Sequence, residues 1–526
     1  MAAPSGSSVR DDGPVTATGA RLVSEGGGEE RSAARPPVAW RALGAVGGLV
    51  TAVLVAASGG YGYHRDELYF LQAGRHLSFG YVDQPPLTPL LARVGTELFG
   101  DSLVGLRLVS ALAAGVVVLL TGLIAREFGG GRGAQALAAG CMAVSAFLLA
   151  VGHLLSTSTF DLLAWTAISW LVVRALREGG PVWAAVGLVA GIGLQNKTLV
   201  AFLLAALAVG LLLVGPRSRL RSPWPWFGAG IALLVWTPAL VWQATHGWPQ
   251  LELSEAIASG SSGTSEPPEL FVPMQLVLIS PMLVPVWAAG LWRLARSPAL
   301  LASRTFAVAY PLLAAFFLVT GGKPYYLAGL YPVLLAAGAE PTLRWCRAGV
   351  SLLRPVLLGA AVALSALVNG VLMLPVVPVG SLGATPIVDI NYDAGETVGW
   401  PALARTVAGV HRSLSIAEQD ASTVLTRNYG QAGAVDRYGS ELGLPRAYSG
   451  HNSYAEWGPP PESVAVTIVV GYDRSTLRTW FGSVEEVAQV DNGVDLDNDE
   501  QGTPIWVCRD RLAPWSVTWP DVRHLG

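Results

Sequence analysis

Long apolar runs alternate with short polar connections over the first 374 positions of the chain. The first run covers about 40–59, and others follow at about 105–125, 134–152, 156–174, 181–196, 198–215, 226–242, 271–292, 305–320, 325–340 and 355–374. Most approach the roughly 20 residues a helix needs to cross a bilayer. About eleven transmembrane helices are predicted. After Leu374 the pattern changes, and apolar runs shorten to strand length at Ser422–Thr426, Ser463–Gly471 and Pro504–Cys508. Helix-like stretches lie between them, around Gly430–Leu442 and Ser475–Phe481. The predicted fold class is therefore an all-α polytopic membrane protein with a C-terminal α/β domain. Residues 1–37 lack apolar periodicity and read as a disordered tail. Residues 38–374 form the membrane domain and 375–526 the C-terminal domain. With about 40 residues ahead of it, the first span is expected to stay as an anchor.

Composition supports this reading. Of the 526 residues, 52% are hydrophobic and 13% charged, with a mean hydropathy of +0.46. Soluble domains carry about a quarter charged residues. The net charge of -3 points to no nucleic-acid partner. Cys141, Cys346 and Cys508 fall in unlike surroundings, so no disulfide framework is implied.

Arginine positions set the orientation. Arg126 and Arg132 follow the second run, Arg174 and Arg177 the fourth, and Arg217, Arg219 and Arg221 the sixth. Arg293, Arg296 and Arg304 follow the eighth, and Arg344, Arg347 and Arg354 the tenth. Cytoplasmic loops are the basic ones. The even spans thus end in the cytoplasm, with the N-terminal tail. The loop after the first span and the whole of 375–526 are expected outside, in a multi-pass plasma-membrane protein.

That first outer loop, within 61–104, carries adjacent acids Asp66 and Glu67. Charge so close to membrane spans is costly and marks a functional candidate. Asp66, Tyr69, Phe70 and Ala73 share one helical face. Pro85 and Pro86 can open a second surface helix, and Leu87, Leu90, Leu91, Val94 and Leu98 give it an interfacial apolar stripe. Glu67 points about 100° away from Asp66 on such a helix. One acid can face a substrate while the other holds an arginine such as Arg65 or braces the loop. Asp83 adds a third carboxylate. The residues alone leave Asp66 as either a catalytic group or half of a structural ion pair.

Lys197 and Lys323 are the only lysines among 34 basic residues, and both fall on the outer side. Interface lysines often just snorkel, but a shared anionic ligand such as a lipid phosphate also explains the pair. Tyr325 and Tyr326 fit an aromatic belt or a site wall. His153 and Asp161 are weaker cavity-lining candidates. No His/Cys cluster with metal-ligand spacing exists, so a divalent metal is unsupported. The long acidic outer loop 243–270 reads as a cover or a linker.

The stretch RDELYFLQAGRHLSFGYVDQPPLTPLLARVGTELFGDSLVGLRL, with GGKPYYLAGLYP further on, resembles the GT-C polyprenyl-phosphate-dependent glycosyltransferases. The branch it is most similar to holds the protein O-mannosyltransferases and the aminoarabinose transferase of lipid A. The similarity covers 40–374. It implies transfer of a sugar from a polyprenyl-phosphate carrier to an acceptor hydroxyl (protein, glycolipid or wall glycan) on the outer face. It also implies Asp66 as catalytic base and Glu67 as its acidic partner, with no cofactor required. The family often has lysine before the proline pair, at the donor phosphate; here Gln84 stands there. Lys197, Lys323 or Arg65 is then expected to supply the charge. A transporter would predict internal repeats and broken helices instead. A non-catalytic envelope scaffold would tolerate loss of the Asp66 carboxylate.

Overall fold

In a computed structural model, which describes residues 35–259, 267–349 and 351–526, the apolar runs of the first 374 positions fold as helices. The tail predicted to be disordered falls, up to residue 34, outside the described residues, as does 260–266 of the acidic outer loop. Among the described residues, six helices are long and apolar enough to cross a membrane: Trp40–Ala57, Leu103–Glu127, Thr157–Glu178, Pro223–Thr245, Pro298–Val319 and Leu353–Met373. Two bent pairs raise the number to as many as eight. Arg132–Ala143 meets Ala146–Gly152 at 60°, and Pro268–Ile279 meets Pro281–Arg296 at 78°. The sharper bend has a local cause: Ser280 takes a positive φ of 94°, and Pro281 cannot continue the hydrogen-bond ladder behind it.

The first polar interruption contains the two expected surface helices, α1 (Arg65–Arg75) and α2 (Leu87–Phe99). A capping box starts α1. The His64 ring accepts from the Asp66 amide, and Glu67 accepts from the His64 amide. Pro86 occupies the N-cap of α2, where a missing N–H is harmless. On α2, Leu90, Val94 and Leu98 are exposed while Thr88, Ala92 and Gly95 are buried, the split expected of a helix lying against lipid.

Residues 400–526 add helices α3 (Trp400–Ser413) and α4 (Tyr429–Tyr438) to a five-stranded sheet. Its strands are β1 (Ser422–Thr426), β2 (Ala447–Ser449), β3 (Val466–Val470), β4 (Phe481–Gln489) and β5 (Pro504–Arg511), in the order β2-β1-β3-β5-β4. The first three run parallel, and β5 is antiparallel to both β3 and β4. Strands β1 (STVLT) and β3 (VTIVV), built of aliphatic and small hydroxyl residues, are buried along their whole length. The core on one side of this sheet does not stop at its own helices. It continues through Trp400, Val407 and Tyr429 into Leu68, Tyr69 and Phe70 of α1. The 61–104 loop and the C-terminal segment thus share one apolar core.

Candidate active site

Glu67 and Asp66 are neighbours with opposite fates. Glu67 is fully buried and its oxygens accept four hydrogen bonds: Arg107 Nε at 2.8 Å, Arg107 Nη2 at 2.7 Å, and the amides of His64 and Leu155 at 2.8 Å each. Burial pushes this carboxyl up, yet Arg107 and the two amides bring it below the usual carboxylate range. Arg107 also donates to the carbonyls of Ser58 and Gly62, at 2.7 and 2.6 Å. Every face of the pair is therefore occupied. The arginine that Glu67 holds is Arg107, from the next span, and not Arg65.

Asp66 keeps 38% of its side chain exposed. Its Oδ1 accepts from the Tyr429 hydroxyl at 2.8 Å. The ring of His64 stands 4.0 Å from its Oδ2 and turns its other nitrogen to Asp393 at 3.4 Å. Because His64 Nδ1 accepts the Asp66 amide at 3.1 Å, the ring's proton sits on Nε2, facing Asp393. Arg65 turns toward the C-terminal segment. It pairs with Glu396 at 3.1 Å, reaches Asp499 at 3.7 Å and lies over the Tyr429 ring, 5.2 Å from its centre.

Asp83 accepts from the Tyr69 hydroxyl at 2.7 Å, and burial nevertheless raises its pKa to about 7. Next to it, Gln84 is 4% exposed, and among the described residues neither polar atom of its carboxamide has a partner. Its backbone carbonyl closes a tight turn with the Tyr81 amide at 2.8 Å.

The lysines lie together with the tyrosines. Lys197 Nζ sits 5.1 and 5.5 Å from the ring centres of Tyr325 and Tyr326 and donates to Ser158 Oγ at 3.3 Å. Lys323 approaches Tyr325 at 6.0 Å. The turn bearing Lys197 is clamped to the start of α2. Leu87 N donates to the Gln195 carbonyl at 2.9 Å, and Thr88 donates to Asn196 at 2.7 Å. Asp161 and Asp66 are the carboxylates within electrostatic reach of Lys197. His153 lies behind the Glu67–Arg107 pair, lining a small recess with Arg107, Tyr61 and Asn391, its Nδ1 bonded to the Leu149 carbonyl. Among the described residues, no group of three or more His, Cys, Asp or Glu side chains is arranged to hold a metal.

A family model described as dolichyl-phosphate-mannose-protein mannosyltransferase matches residues 83–242, starting just after α1. An undecaprenyl phosphate-alpha-4-amino-4-deoxy-L-arabinose arabinosyl transferase of Pseudomonas fluorescens is 29% identical over 278 residues, 49% of each chain. One from a second strain is 28% identical over 295 residues, covering 52% of this chain and 50% of its own. The chain thus spans about half the length of the curated relatives it matches. Among solved structures, ArnT from Cupriavidus metallidurans bound to undecaprenyl phosphate superimposes on 89% of this chain and 98% of its own, with a TM-score of 0.57 at 13% identity. The chain has the GT-C fold. The resemblance to GT-C glycosyltransferases holds in sequence and in fold.

Within this GT-C frame, several side chains at the site lay outside the sequence reading, His64, Tyr429, Asp393, Glu396 and Asp499 among them. Tyr429, Asp393 and Glu396 all come from the C-terminal segment, more than 300 positions from α1. Nothing in their local sequence pattern marked them.

Proposed function

We propose that the protein is a membrane glycosyltransferase that moves a sugar from a polyprenyl-phosphate carrier to an acceptor hydroxyl on the outer face of the plasma membrane. In this reading all eleven apolar runs cross the bilayer, the N-terminus is cytoplasmic and residues 375–526 form an extracytoplasmic domain. The acceptor is a protein, a glycolipid or a wall glycan. The reading is supported above all by Asp66, which stays open to solvent, with Lys197 within electrostatic reach, at the loop that resembles the family's catalytic loop.

Asp66 takes the proton as the acceptor oxygen bonds to the anomeric carbon. The bond from that carbon to the phosphate oxygen breaks with inversion, and the lipid phosphate leaves toward Lys197 and Lys323. Tyr325 and Tyr326 wall that end of the site and Asp161 lines its depth, while His153 lines the recess behind the Glu67–Arg107 pair. Gln84 and Asp83 face the donor from the turn before α2. Arg65 is already engaged by Glu396, so the phosphate charge falls to the lysines. Glu67 acts through position: it fixes the start of α1. No step calls for a cofactor.

The deciding experiment compares glycans and lipids of a deletion strain with its parent, then restores the gene as wild type or Asp66→Asn. The product lost on deletion should return with wild type and stay absent with Asp66→Asn. Its return with Asp66→Asn removes Asp66 as the base.

A further inference from the structure

Helix α4 begins with Tyr429 and carries glycines at 430 and 433, a run that matches no nucleotide-binding fingerprint. The structure gives those glycines another purpose. A Cβ on Gly433 would stand 2.8 Å from the Leu68 Cβ and 2.9 Å from its carbonyl carbon, and one on Gly430 would stand 3.0 Å from the Arg65 Cβ. Real Cβ atoms do not pack that closely onto backbone. Helix α4 therefore lies directly on α1 because it has no side chains there, and its first residue arrives at the acid on α1.

Three neighbours hold the Tyr429 ring. Tyr69 stacks on it at 4.7 Å and the Arg65 guanidinium lies over it at 5.2 Å. His451 stacks on the same ring at 4.6 Å, and its Nδ1 accepts from the Tyr429 amide at 3.3 Å. The phenol is buried, which raises its pKa and keeps its proton in place as a donor. That proton goes to Asp66 Oδ1 at 2.8 Å.

We infer that Tyr429 is a positioning residue for the transfer reaction: its hydroxyl fixes Oδ1 of Asp66 and leaves Oδ2 as the atom that meets the acceptor hydroxyl. Helix α4 is thus the C-terminal segment's contribution to the catalytic centre. The inference rests on Asp66 acting as the base. A carboxylate free to rotate presents either oxygen at any angle, whereas one pinned by a buried donor presents one oxygen in one direction.

The test uses full-length protein with Tyr429→Phe, which removes the hydroxyl and keeps the ring stack, beside Asp66→Asn and wild type. Membranes of the complemented deletion strain report the rate at which the lost glycan product forms. Purified protein reports its affinity for undecaprenyl phosphate and its melting temperature. Tyr429→Phe should form product about ten- to a hundredfold more slowly, the span expected for one hydrogen bond to a charged group. Undecaprenyl phosphate affinity and melting temperature should stay at wild-type values. Wild-type rates for Tyr429→Phe beside an inactive Asp66→Asn overturn this inference and leave the base standing. A Tyr429→Phe protein that loses affinity and melting temperature together shows packing alone, and also overturns it. An active Asp66→Asn removes the base, and this inference with it.

Discussion

Arg107 clasps Glu67 through two parallel hydrogen bonds, at 2.8 and 2.7 Å, and water reaches neither side chain. Removing either partner strands a buried charge, which costs about 3–5 kcal/mol. Glu67→Ala and Arg107→Ala should therefore lower the melting temperature in detergent sharply. Arg107→Lys should not rescue it, because an ammonium cannot reproduce the fork or reach the Ser58 and Gly62 carbonyls as well.

Lys197 and Lys323 both approach the Tyr325 ring, at 5.1 and 6.0 Å from its centre. If both meet the lipid phosphate, each makes a charge-assisted contact of about 1.5–3 kcal/mol. Titration of purified protein with undecaprenyl phosphate should show roughly ten- to a hundredfold weaker binding for each Lys→Ala change. Raised salt should weaken wild type more than either variant. Unchanged binding in both variants would place the phosphate elsewhere.

Gln84 buries a carboxamide with neither atom partnered among the described residues. An unsatisfied buried polar group costs about 1–3 kcal/mol. Gln84→Leu should then raise the melting temperature of ligand-free protein and slow transfer. Stability and activity moving in opposite directions is the mark of a group kept for its ligand. A Gln84→Leu protein with normal transfer would assign the residue to packing.

Asp83 has a pKa raised by burial to about 7, above its ordinary value of 3.8. Between those values the folded chain holds a proton that the unfolded chain has lost, so stability falls as pH rises through that window. Melting temperature should decline from pH 4 toward pH 7, and Asp83→Asn should flatten that decline. A slope unaltered by Asp83→Asn would locate the proton on another group.

How much of this was legible in the sequence follows from what each feature depends on. The apolar runs and the interfacial stripe of α2 are set by local composition, and so is β1, whose bounds match the predicted run. Strand β4 escaped notice because Glu485 and Glu486 sit mid-strand on a sheet edge, where charge is tolerated. Strand β2 is three residues long and carries no pattern. At the site, the acids announced themselves as polar groups in an apolar chain. Glu67's arginine was visible within the outer-loop motif, but choosing Arg107 over Arg65 required the tertiary fold. Tyr429 lies 363 positions from Asp66, and no local periodicity encodes that contact.

The shared core between α1 and the C-terminal segment sets an order of assembly. A ribosome delivers α1 early, with most of the membrane helices still to be made. Leu106, Leu155 and Phe160 of the same core follow soon after, but Trp400, Val407 and Tyr429, which bonds Asp66, arrive only with residues 400–470. Contacts this distant in sequence form late. The surroundings of Asp66 are completed last, so a chain cut short after its Leu353–Met373 helix should insert with this loop left open. Protease access to α1 in membranes carrying chains that stop at residue 390 should exceed that in membranes carrying the full-length protein.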